Sequence, residues 1–228
     1  MALFLRHTGP LRGVWKIEES PDELLSRLTL PANRLLPMEM HGVNRIREWL
    51  AVRVLLKELL GEELLIAYDP NGAPYLPDRR IHIGISHTKG YAAVVLSEQH
   101  PVSIDIEYPN DRVRRVRRRF MNPEEEAMID PAHEAEHLLL CWCAKETLYK
   151  IIGRREVDIL RHLHLAPFAF GPSGSLVATE MRTPARASYM LDYMFNKYFA
   201  MTWSREITAV STPSLLNSAM MVLLLLIR

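Results

Sequence analysis

The sequence predicts an α+β fold of two similar lobes packed as a pseudo-dimer with a cleft between them. Three observations predict it. At 228 residues the chain is long enough for two compact lobes of about 110 residues each. Helical patterns alternate with short strand-like runs closed by turn residues, which is the signature of mixed helix and sheet. Finally, Arg53-Val54-Leu55-Leu56 leading to Leu59-Leu60-Gly61 is echoed ninety-two residues later by Lys145-Glu146-Thr147-Leu148 leading to Ile151-Ile152-Gly153. In both stretches a helix with a nearby tryptophan ends at glycine, as an internal repeat requires. The join falls near residues 107–110, giving lobes 1–108 and 109–228.

Taken in order, residues 2–19 read as an opening hairpin around Gly9-Pro10 and Gly13. Ser20-Pro21-Asp22-Glu23 starts a helix with a capping serine, a first-turn proline and acids at the positive dipole end. It runs to about residue 30 and is closed by Pro31. A longer helix, 43–60, carries Ile46, Trp49, Leu50, Val54 and Leu56 at helical spacing and stops at Gly61. Strands follow at 64–68, 73–76, 81–86 and 91–97, separated by Asp69-Pro70-Asn71-Gly72 and His87-Thr88-Lys89-Gly90. Pro101 introduces the strand bearing Asp105 and Glu107.

Beyond it, Val113, Val116 and Phe120 share one face of a helix whose other face is Arg112, Arg114, Arg115, Arg117, Arg118 and Arg119. Asn122-Pro123-Glu124-Glu125 caps the next helix, and a long helix runs from about 133 to 152 and ends at Gly153. Residues 163–227 are mostly strand-like, with turns at 171–174 and 212–213.

Composition narrows the function classes. Apolar content of 48% and charged content of 24% are those of a soluble globular protein. A net charge of +1 gives no global attraction to nucleic acid or an acidic membrane, so any charged partner must meet a local patch. Cys141 and Cys143 lie two apart on a helix and diverge by about 200°, so they cannot bridge and read as buried thiols in a reducing compartment. The apolar run in residues 1–10 is too short for a secretory signal and is interrupted by Arg6 and His7. The eight residues 220–227 cannot cross about 30 Å of hydrocarbon and read as a terminal core strand. A cytoplasmic protein without a membrane partner is expected.

The chemistry concentrates between residues 104 and 150. On a strand, Asp105 and Glu107 project from one face while Ile104 and Ile106 point the other way. A helix some forty residues later brings Glu146 with Lys145 and Lys150. Three carboxylates beside cations suit a hard divalent cation holding a phosphate ester. Alone, each piece has a plainer reading: solvated strand residues, an exposed i,i+4 ion pair, a turn histidine.

Five stretches in order and register change that weighting: Asn71-Gly72-Ala73-Pro74, Ile85-Ser86-His87-Thr88, Ile104-Asp105-Ile106-Glu107, Arg119-Phe120 through Glu124, and Trp142-Cys143-Ala144-Lys145-Glu146 with Lys150. Across about residues 45–153 the chain resembles the 4′-phosphopantetheinyl transferases, in the larger two-lobed form that activates carrier domains of peptide and polyketide synthases. The helix with Arg45, Trp49, Leu50 and Arg53 looks like that family's first lobe.

The resemblance implies transfer of the phosphopantetheine arm of coenzyme A to a serine of an acyl or peptidyl carrier protein, leaving adenosine 3′,5′-bisphosphate. It implies that Asp105, Glu107 and Glu146 hold Mg²⁺, that Arg45, Arg53, Ser86, His87, Lys145 and Lys150 contact the cofactor, and that Lys150 steadies the departing phosphate. Coenzyme A would lie on the first lobe, and metal and carrier on the second. The serine proton needs an acceptor within hydrogen-bond reach, and Glu124 and Glu146 are both candidates. Trp142 reads as core, and Lys145 either as a phosphate contact or as a stem covering apolar surface.

Ala73 stands where the family usually has lysine, and Gly153-Arg154-Arg155-Glu156 departs from its glycine-rich text. The arginine face suits an acidic carrier better than nucleic acid. Two half-sites in one chain favour a monomer. The rivals are a catalytically silent carrier-binding or nucleic-acid-binding protein of the same fold, and a metal-dependent phosphohydrolase.

Overall fold

The computed structural model describes residues 3–8, 10–34, 41–77, 80–153 and 156–205. In chain order the elements are strands β1 (Leu3–Thr8) and β2 (Leu11–Lys16); helices α1 (Pro21–Ser26), α2 (Pro31–Arg34) and α3 (Val43–Leu60); then strands β3 (Ala67–Tyr68), β4 (Pro74–Tyr75), β5 (His82–Thr88), β6 (Tyr91–Ser97) and β7 (Ile104–Glu107). Next come α4 (Arg112–Val116), extended by a 3-10 turn over Arg117–Arg119, α5 (Pro123–Ala127), α6 (Glu134–Ile152), α7 (Ile159–His162) and strands β8 (Leu163–Leu165), β9 (Ser173–Glu180), β10 (Ser188–Phe195) and β11 (Ala200–Ser204). The expected strand at 220–227 and turn at 212–213 lie outside the described residues. Among the described residues no helix is long and apolar enough to cross a membrane.

The fold is α+β, built on two antiparallel sheets. One runs β1-β2-β6-β5 and the other β7-β11-β10-β9-β8, with β3 and β4 forming a separate ribbon. α3 packs on β2 and β6, and α6 packs on β11, β7 and β8. Each sheet and its helix enclose a core: Leu50, Val54, Leu55 and Leu56 of α3 meet Trp15 and Val94, while Leu138, Cys141, Ala144 and Leu148 of α6 meet Leu176, Leu191 and Ala200. Burying each such side chain contributes about 1.5–3 kcal/mol.

A third core lies between the sheets, where Val14, Tyr91, Ala93 and Val95 meet Ile104, Ile106, Phe199, Met201 and Trp203. β6 is therefore buried on both faces, with Ala92, Val94 and Leu96 turned to α3 and the alternate residues turned to the other sheet.

Local signals fix several boundaries. Gly61 takes φ +77, the left-handed conformation that ends α3, and its N–H donates to Lys57 O. Ser20 and Asn122 each close a capping box with the glutamate three residues on, and proline follows both. α1 is shorter than expected, because Arg27 ends it and Pro31 opens a second short helix rather than merely closing the first.

The strand Ile104–Glu107, placed by sequence order in the first lobe, hydrogen-bonds into the second sheet. Asp105 pairs with Thr202 and Glu107 with Ala200. It also lies against β5, where Gly84 makes the approach possible. A Cβ there would sit 2.9 Å from Ser103 Cα and 3.1 Å from Val102 O, a contact that only a missing side chain relieves.

Candidate active site

The long helix α6 runs against β7 so that a stripe of side chains on one meets the acids on the other. Trp142, Glu146 and Lys150 are four residues apart and line one side of the helix. At the two ends of this stripe, Trp142 Nε1 donates to Glu107 Oε1 at 3.1 Å and Lys150 Nζ donates to Asp105 Oδ1 at 2.7 Å. Glu146 lies between them, and its charge acts on Glu107.

Asp105 is 4% exposed, and its two oxygens have different surroundings. Oδ1 accepts from Lys150 and from Ser86 Oγ at 3.0 Å. Oδ2 is buried and accepts no well-formed hydrogen bond, the weak Cys143 thiol donor against this carboxylate aside. A buried carboxylate oxygen left bare is costly unless a cation or donor arrives. Glu107 shows the same shortage of positive charge. Burial, then the neighbouring Asp105, then Glu146 push its carboxyl up to about 7, against the pull of Trp142 and Lys150. Burial, followed by the same two strand acids, holds the Cys143 thiol well above its usual value. Crowded acids, one with an orphaned oxygen, fit a divalent cation. Among the described residues no three acid, histidine or cysteine side chains already stand in metal-holding geometry. Asp105, Glu107 and Glu146 are gathered but not closed around a point.

Beside this cluster opens a cavity of about 390 Å³, lined by Asn71, Ala73, Ile83, Ser103, Lys150 and Gly153 among others. Lys150 is thus shared between the acids and the cavity. Its ammonium also donates to Ile104 O at 3.0 Å and Ser86 Oγ at 3.2 Å.

The other expected site residues have different surroundings, and none of them lines this cavity. His87 is exposed, with Nδ1 3.1 Å from Glu48 Oε2 on α3. Arg45 is exposed in the first turn of α3. Arg53 is buried, with its guanidinium 3.2 Å from the Trp49 ring centroid and Nη1 donating to Trp49 O; burial pulls its pKa down to about 10. Ser86 is buried and turned to Asp105 and the Ile106 N–H rather than to open space. Glu124 is exposed at the start of α5.

Lys145 departs most from expectation. Its side chain is 0% exposed and bonds Glu125 Oε2 at 2.7 Å and Phe120 O. With no accessible surface, this ammonium is an internal anchor rather than part of the cavity lining. Glu125 in turn accepts the N–H groups of Asn122 and Leu165 at 2.9 Å. Burial lowers the Lys145 pKa, and Glu125 opposes that shift.

Sequence alone gives Glu125 only a helix start and Trp142 only a place in the core, whereas the structure gives each a polar partner near the site. Spacing held the signal for the second, since a tryptophan four positions before Glu146 shares its helix face.

Comparison with known proteins agrees with this architecture. Residues 101–204, which span β7 to β11, match the family model described as the 4′-phosphopantetheinyl transferase superfamily. A Haemophilus influenzae protein assigned by inference as a 4′-phosphopantetheinyl transferase is 30% identical over 217 residues, covering 87% of this chain and 90% of the relative. The chain belongs to the 4′-phosphopantetheinyl transferase superfamily. As a member of that superfamily it is a transferase, and the resemblance carried by residues 45–153 extends to most of its length.

Proposed function

We propose that this phosphopantetheinyl transferase moves the 4′-phosphopantetheine arm of coenzyme A to a serine of an acyl or peptidyl carrier protein, with Mg²⁺ held by Asp105, Glu107 and Glu146. The observation that carries the proposal is the bare, buried Oδ2 of Asp105, in an acid cluster that adjoins a cavity through Lys150. Mg²⁺ there would neutralise charge developing on the leaving side of the diphosphate.

The chain's own residues do the rest. The carrier serine oxygen forms a bond to the phosphorus bearing the pantetheine arm as the bond to the adenosine 3′,5′-bisphosphate oxygen breaks, and the bonding pair leaves with that oxygen. The serine proton passes to Glu146 or Glu124, directly or through a water. Lys150 faces the departing phosphate from the cavity wall, and His87 and Arg45 contact the cofactor from the first sheet's side. Ser86, Arg53 and Lys145, being buried, support the site from behind: Ser86 through Asp105, Arg53 through Trp49, and Lys145 through Glu125.

The two sheet-and-helix units read as the lobes of a pseudo-dimer; because β7 pairs with β11, the join falls between β6 and β7 rather than near residues 107–110. Support comes from α3 and α6, which are 18 and 19 residues long and both end at a glycine of positive φ. A carrier docks on the arginine face. Arg114 and Arg117 are tied to Asp111, Glu126 and Glu134, whereas Arg112, Arg115, Arg118 and Arg119 are exposed and carry no ion pair among the described residues.

The test is mass spectrometry of an apo carrier incubated with the protein, coenzyme A and Mg²⁺. The carrier should gain the phosphopantetheine mass. No gain on any apo carrier, or loss of coenzyme A without carrier, sinks the proposal, and the second outcome makes the protein a hydrolase.

A further inference from the structure

Glu107 has two carboxylate oxygens, and the structure commits one of them. Oε1 accepts the Trp142 indole N–H at 3.1 Å. The indole is itself held: its ring meets the fully buried Phe120 edge-to-face, with centroids 5.2 Å apart and planes at 69°. Phe120 is fixed through its carbonyl, which takes the buried ammonium of Lys145. A rigid aromatic pair thus presents one N–H donor to one oxygen of Glu107 and leaves the other oxygen outside that bond. At the far end of the stripe the same division holds for Asp105, where Lys150 and Ser86 occupy Oδ1 and Oδ2 is bare.

We infer that Trp142 is a positioning residue: its indole N–H locks the Glu107 carboxylate in one rotamer, so that the free oxygen faces the same point as Asp105 Oδ2. The inference rests on the metal role proposed for Glu107. Donors that orient a ligating carboxylate typically change metal affinity by 10–100-fold when removed. A tryptophan that only filled the core would affect stability and leave metal affinity alone.

The experiment compares wild type with Trp142→Phe, which keeps a ring against Phe120 and removes the donor. Mn²⁺ binding without substrate is read from the paramagnetic resonance of free ion, and kcat and the KM for coenzyme A are measured at saturating metal. The expected result is Mn²⁺ affinity at least tenfold weaker in Trp142→Phe, with an unchanged KM for coenzyme A. Equal Mn²⁺ affinity in a wild type that does bind Mn²⁺ overturns the inference and leaves the metal reading standing. A wild type that binds no Mn²⁺ overturns both.

A second measurement avoids dependence on how Trp142→Phe folds. In ¹⁵N-labelled protein, one of the four indole N–H signals should shift on Glu107→Gln and again when Mg²⁺ is added to wild type. Four unmoved signals overturn the inference.

Discussion

The ammonium of Lys150 lies 2.7 Å from Oδ1 of Asp105, in a pair whose side chains are 18% and 6% exposed. The cation closest to the acid cluster is therefore part of the protein, and it also borders the cavity. One lysine orients a carboxylate and lines the cavity.

Replacing Lys150 should therefore damage turnover more than binding. Lys150→Met is expected to lower kcat by about 10²-fold, the scale on which loss of one charge-stabilising donor is felt, with a smaller rise in the KM for coenzyme A. Lys150→Arg should recover little, because a planar fork does not replace a point charge shared among three acceptors. Steady-state kinetics decide: an effect confined to KM would make Lys150 a binding residue only.

Lys145 tests the opposite case. Its pair with Glu125 is fully buried, and breaking such a pair from one side costs about 3–5 kcal/mol. Lys145→Met should lower stability by roughly that amount in chemical denaturation, and the Lys145→Met, Glu125→Gln double variant should be less destabilised than the sum of the singles. The folded single variant should keep the wild-type KM for coenzyme A; a large rise would restore the phosphate contact that the burial argues against.

The arginine surface predicts a separation of substrates. Converting Arg115, Arg118 and Arg119 to glutamate should raise the KM for an acidic carrier by about tenfold or more at low salt, with less effect as ionic strength rises, and should leave the KM for coenzyme A unchanged. Equal carrier kinetics would remove this face from docking.

Glu63, just past α3, ties down the segment between α1 and α2 and makes that tie pH-dependent. Burial alone would raise its pKa, but the N–H and hydroxyl of Thr29, Asn33 and the Leu30 N–H outweigh that and hold it at about 2. A depressed carboxyl stabilises the fold above its ordinary pKa and loses that contribution as pH falls toward the folded value. Glu63→Gln should cost about 2 kcal/mol at neutral pH, in line with losing hydrogen bonds to a charged acceptor. The gap should shrink between pH 4.5 and about 2, as read from urea midpoints; a constant gap would deny the carboxylate its role.

What the sequence disclosed follows from how far each signal reaches. The periodicity of α3, its glycine stop, and the capping boxes of α1 and α5 are local, and they placed those elements within a few residues. The alternation in Ile104-Asp105-Ile106-Glu107 put both acids on one face, and the structure puts Ile104 and Ile106 in the core between the sheets. Pairing across long separations left no such mark. Nothing near Asp105 says that its strand joins Thr202, and nothing near Lys145 says that Glu125 will take its ammonium twenty residues away. An indole N–H is invisible to hydrophobic patterning, so Trp142 looked like packing alone.

The central claim is that Asp105, Glu107 and Glu146 share one divalent ion. The most direct measurement is carrier modification velocity against Mg²⁺ concentration for wild type, Asp105→Asn, Glu107→Gln and Glu146→Gln. The account predicts that each variant needs at least tenfold more Mg²⁺ for its half-maximal rate. Four superimposable Mg²⁺ curves, whatever their heights, would contradict it.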